Sequence, residues 1–270
     1  MKGYKMLNND MTTLYGDMTY EIGKTYKLDG EIIPYKNGYH FCEELITCIQ
    51  YYHNNDNDKR FFEIESGDNV IKKEDKYVTD EIALIRELTL DEVFDYIREN
   101  KSIVNWNVIS SWQKLPEEFI REFKDKVNWS YISVNQQLSE DFIREFQDRV
   151  DWYYISEYQK LSEEFIREFE DSVSWFYISM YQQLSEDFIR EFKYRVDWSC
   201  ISIYQKLSEN FIREFQDKVD WFCVSKYQGL SEEFIREFGD RVDWEYISKY
   251  QNLSEEFRKE FKDRLERCYY

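Results

Sequence analysis

The chain has 270 residues, of which 42% are hydrophobic, 19% aromatic and 34% charged, with a formal net charge of -19. That apolar content can bury a core, and an acidic balance without clustered Lys and Arg argues against wrapping nucleic acid phosphate. No stretch approaches the roughly 20 apolar residues of a membrane span, and the opening "MKGYKMLNNDMTTLYGD" lacks the apolar segment of a secretory signal, so the expectation is a soluble, cytoplasmic protein without membrane contact.

Residues 1–87 read as a small α+β domain. The runs "RFFEIES" (60–66), "KYVT" (76–79) and "EIALIREL" (81–88) predict strands, separated by turn-like "KLDGE", "YKNGY" and "NNDND", and "CEELITCIQYY" (42–52) has helical spacing. The segment "LTLDEVFDYIRENKSIVNW" (88–106) predicts a degenerate helix, so 88–103 is assigned as the N-terminal cap of a repeat array beginning at residue 104.

Residues 104–270 repeat with a period of 23. Trp106, Trp129, Trp152, Trp175, Trp198, Trp221 and Trp244 are each followed three residues later by Ile, or by Val at Val224, and then by Ser. A glutamine column (Gln113 to Gln251), a leucine column (Leu115 to Leu253) and two phenylalanine columns (Phe119 to Phe257, Phe123 to Phe261) complete the frame. In one copy, Ser162 precedes two glutamates, and Phe165 and Phe169 stand four apart, which predicts a capped helix with Glu163 and Arg167 paired on its outer side. Asn, Asp or Ser before every repeat tryptophan predicts a second helix starting there, and Pro116 in place of the cap serine suits a helix N-terminus. Two short helices cannot bury their apolar faces alone, so the fold class is an α+β domain followed by an all-α solenoid of about seven two-helix repeats. In the last copy the isoleucine column becomes Arg258, as a polar end cap requires.

The columns that change between copies point to a surface. Tyr153, Phe176 and Phe222 follow their tryptophans directly, and Val134, Met180 and Ile203 stand four residues further on, forming one i,i+4 ridge off the Trp/Ile face. An apolar ridge of this kind is expected to contact a protein partner; its other reading is partial burial against the adjacent repeat. The Ser156 and Gln159 columns lack a companion His or acid and are expected to hydrogen-bond within and between repeats. Cys200 and Cys223 replace a tyrosine column and read as packing substitutions. All five cysteines, Cys42, Cys48, Cys200, Cys223 and Cys268, are expected to be reduced, and no metal, cofactor or catalytic residue is assigned.

The stretches "GYKML" (3–7), "YEIGKTYKLDGEI" (20–32), "NGYHFCEE" (37–44) and "TDEIALIREL" (79–88) resemble a poorly characterised domain of bacteriophage and bacterial proteins, and the 23-residue units are similar to tandem repeats of phages and large DNA viruses. The resemblance implies a viral setting: a non-enzymatic scaffold that binds and inhibits a host factor, for example a nucleic-acid-binding defence nuclease complex, in the host cytoplasm. Acidic nucleic acid mimicry is a second expectation. Residues 1–103 carry 13 Lys/Arg and 21 Asp/Glu, net -8, and 104–270 carry 23 and 34, net -11, so the excess is not concentrated in the repeats. Finally, Gly38-Tyr39-His40-Phe41 and the helix before Tyr51-Tyr52 look like a strand-and-helix element of ADP-ribosyltransferase folds, which implies a catalytic Glu63 or Glu65. Tyr4 and Lys5 stand where that family has an early Arg or His. The competing reading makes His40 structural, turns the glutamates to water and leaves His53 in a loop.

Overall fold

The computed structural model describes residues 1–13, 18–34, 36–51, 59–112 and 114–266. Contacts divide the chain into two units, Met1–Gln137 and Leu138–Tyr270. Tyr52, His53, Gln113 and Cys268, singled out in the sequence, lie outside the described residues.

The first unit begins with seven strands: Lys2–Leu7 (β1), Thr25–Lys27 (β2), Tyr39–Phe41 (β3), Arg60–Ser66 (β4), Val70–Lys73 (β5), Lys76–Thr79 (β6) and Glu81–Glu87 (β7). They form two antiparallel sheets, in the orders β1-β4-β7-β2 and β3-β6-β5. The alternating runs of the sequence are β4, β6 and β7. Other strands carry no such signal: β5 is one half-buried valine followed by exposed residues, and β2 has a single half-buried tyrosine. Leu7, Phe62, Ile64, Ile82 and Leu84 close the core with Tyr20 and Phe41. The helix Leu45–Gln50 (α1) is shorter than the predicted 42–52, because Cys42 exchanges backbone hydrogen bonds with Tyr4 at 2.7 and 2.8 Å. That approach needs Gly3, where a Cβ would lie 2.6 Å from the Cys42 carbonyl oxygen.

The predicted degenerate helix is Leu90–Glu99 (α2), started by a capping box between Thr89 and Glu92. It buries Val93, Phe94 and Ile97, with the Phe94 ring 4.7 Å from that of Phe119. The repeat helices Trp106–Ser110, Glu117–Glu122 and Trp129–Asn135 complete the described elements of this unit.

The second unit is all helical, from Glu140–Glu145 through pairs such as Trp152–Tyr158 with Glu163–Glu168, to Lys262–Glu266. Its repeat helices have six or seven residues, too few to persist by backbone bonding alone. Packing holds them: Ile155, Phe165, Ile166 and their counterparts in the central copies are fully buried. Each helix start is capped as the residue types predict. The Ser162 hydroxyl accepts the Phe165 N–H at 3.2 Å, and the Asp151 carboxylate accepts that of Tyr153 at 3.1 Å.

Four side-chain ladders join successive copies in this unit. The Gln182 amide donates to the Gln159 carbonyl at 2.8 Å and accepts the Leu161 N–H at 3.0 Å. Ser156 donates to the Trp152 carbonyl at 2.6 Å and accepts the Ser174 N–H at 2.9 Å. Glu163 accepts the Ser185 N–H at 2.6 Å. Arg167 binds Glu191 at 2.8 Å, lies 5.0 Å from the Phe188 ring centroid, and makes the expected i,i+4 contact to Glu163 at 3.7 Å. The Ser and Gln columns thus satisfy buried backbone groups, within a helix and across copies. Arg258 is exposed, whereas the corresponding Ile235 is fully buried.

Candidate functional site

In the second unit, the helices that start at tryptophan present an aromatic strip. Of the ridge residues, Tyr153, Phe176 and Phe222 are 52%, 48% and 46% exposed. Met180 and Ile203 are half-buried, not fully outward, and so is Val134 in the first unit. Tyr153 meets Tyr177 of the next copy edge-on at 4.6 Å, with a hydrogen bond from the Tyr177 hydroxyl to that of Tyr153. Phe222 meets Tyr246 in the same way at 4.5 Å. These two ridge residues therefore lean on the next copy while keeping about half their surface open.

A second exposed column accompanies the ridge. Tyr158, Tyr181, Tyr204, Tyr227 and Tyr250, six residues after each tryptophan, are 48% to 56% exposed. The sequence repeats this tyrosine as faithfully as the core residues, so a surface sought only in the variable columns misses it. Tyr177 and Tyr181 stack with centroids 5.9 Å apart and planes 12° apart, and Tyr246 and Tyr250 do so at 5.8 Å and 11°. The Tyr158 hydroxyl hydrogen-bonds the Glu157 carboxylate, which raises its pKa. Cys200 and Cys223 are buried in this packing, and burial pushes their thiols up to about 12 and about 11, so neither is an available thiolate at neutral pH.

In the first unit, Glu63 is held by Arg86 at 2.6 and 3.0 Å, and Arg86 also binds Glu92 at 2.8 Å. Glu65 is exposed on the same strand, and His40 lies in the other sheet. Burial and the nearby Lys5 hold the His40 imidazole below its ordinary pKa. Lys5 is buried, donates to the His40 carbonyl at 2.6 Å and lies near Cys42 and Cys48. Those two thiols hydrogen-bond each other, which lowers the pKa of Cys42 and raises that of Cys48. A cleft of about 460 Å³ is lined by Lys59, Arg60, Glu87, Thr89 and Trp112 among others, with Arg60 and Glu87 paired in its wall. Among the described residues, no group of three or more His, Cys, Asp or Glu side chains is placed to hold a metal ion, and no helix is long and apolar enough to cross a membrane.

Residues 1–96 match the model of a family described as a domain of unknown function (DUF7666), which shows an uncharacterised N-terminal domain covering both sheets and most of α2. No curated protein and no solved structure matches the chain.

Proposed function

We propose that the chain is a non-enzymatic protein-interaction scaffold whose contact surface is the aromatic strip of the tryptophan-started helices. The observation that carries this reading is the alignment of half-exposed Tyr153, Phe176 and Phe222 with the exposed tyrosine column on a ladder-braced array. Rigid aromatic side chains supply contact area at low entropic cost, and here inter-copy contacts fix them before any partner arrives. In the viral setting that the sequence resembles, the partner is a host factor such as a defence nuclease complex, bound in the cytoplasm.

Nucleic acid mimicry has weaker support, because many repeat glutamates are already paired with arginines, as in Arg144–Glu168 and Arg190–Glu214. ADP-ribosyl transfer by the first unit has less again, with Glu63 bound by Arg86. Replacing Phe176 and Met180 by Asp is expected to abolish capture of the partner from host lysate while leaving the circular dichroism unchanged. Undiminished capture removes the strip as the contact surface, and capture that collapses with added salt favours mimicry instead.

A further inference from the structure

Two places in the Leu138–Tyr270 unit hold three tyrosines in the same sequence positions. In one, Tyr227 of one copy and Tyr246 and Tyr250 of the next surround the Lys226 ammonium, which lies 4.9, 5.3 and 5.8 Å from their ring centroids. Tyr246 and Tyr250, stacked nearly parallel, make a flat wall. Three copies earlier the corresponding residues are Tyr158, Tyr177 and Tyr181, and the second pair forms a wall of nearly identical geometry. The two intervening copies lack the inner wall tyrosine, because Cys200 and Cys223 occupy its column.

The difference between the two places is one residue. Where the first has Lys226, the second has Glu157, so the protein's own cation is replaced by a carboxylate. Aromatic faces attract an ammonium through the ring quadrupole, and a carboxylate at the edge adds a counter-charge. Tyr158 and Tyr181 are both 54% exposed, which leaves the rings open to an incoming group. We infer that Tyr158, Tyr177, Tyr181 and Glu157 form a binding site for an alkylammonium group, the side chain of a lysine or methylated lysine on a protein partner. The partner's cation takes the place that Lys226 fills from within its own chain. The inference rests on the interaction-scaffold reading and names the chemistry of one of its contacts.

The test is a ligand-observed NMR titration of the full chain with N-acetyl-trimethyllysine amide and with its uncharged tert-butyl isostere. The charged probe is expected to bind about tenfold more tightly than the isostere, and Glu157→Gln or Tyr181→Leu to weaken it about fivefold or more. Glu157→Lys, which supplies an internal cation as Lys226 does, should abolish binding. Lys226→Glu should create a second site of similar affinity, a gain that cannot come from misfolding. Equal affinity for the two probes, or unchanged binding by Glu157→Lys, overturns the inference. If charge selectivity is missing while partner capture still depends on Phe176 and Met180, the cage fails and the scaffold reading stands. If selectivity is present but capture ignores those residues, the scaffold reading fails alone.

Discussion

Lys5 and Lys2 stand on the same strand in "KGYKML", yet only Lys5 is buried, at 8% exposure. Nothing local separates them; the pairing of β1 beside Cys42 decides it. Burial lowers the Lys5 pKa to about 8, below its unfolded value of roughly 10.4. A lysine with a depressed folded pKa opposes folding while it is charged. That cost is complete below pH 8 and is relieved as the pH rises toward the unfolded value, because the native state releases its proton first. The stability of the wild type relative to Lys5→Met should therefore rise with pH between about 8 and 10.4, by up to about 3 kcal/mol. Urea unfolding of both proteins at pH 7 and pH 10 measures it, and a pH-independent difference would show that the ammonium is not desolvated.

The elements show why each repeat uses two kinds of cap. Before the glutamate-started helices the cap residue is extended, as at Ser162 with ψ 156° and Ser185 with ψ 153°, and a serine hydroxyl reaches the third helical N–H. Before the tryptophan-started helices ψ falls to 103° at Asp151, 109° at Asp197 and 107° at Asp220, and the longer carboxylate makes the bond. Ser174 has the second geometry, ψ 104°, with the shorter side chain, and makes no capping bond. Ser174→Asp is expected to stabilise the fold by about 0.5 to 1 kcal/mol in thermal or urea unfolding. A neutral or destabilising result would contradict the geometric account. Cap positions were legible from residue type alone; the reason for choosing Asp or Ser was not, because it depends on a backbone angle set by packing of the following helix.

At the scale of the molecule, the ladders of the second unit connect each copy with its immediate neighbours, so stability there is a sum of nearest-neighbour terms. Excising residues 175–197, one period, rejoins a cap residue to Trp198 in register. The product should fold with an unchanged helical spectrum and a melting temperature lower by about 5 °C, whereas excision of 175–186 should abolish cooperative melting. The strip was partly legible: Tyr153, Phe176 and Phe222 could be placed off the core face from helical spacing. The exposed tyrosine column and the half-burial of Met180 and Ile203 could not. What the sequence determined by itself was the period, the helix starts and the core columns, because caps and 3.6-residue spacing act within a few residues. Which repeated column faces solvent, and which three rings meet around Lys226, only the tertiary structure decided, because burial depends on how one copy stacks against the next. The same holds for β2 and β5, whose pairing with other strands supplies what their own residues do not signal.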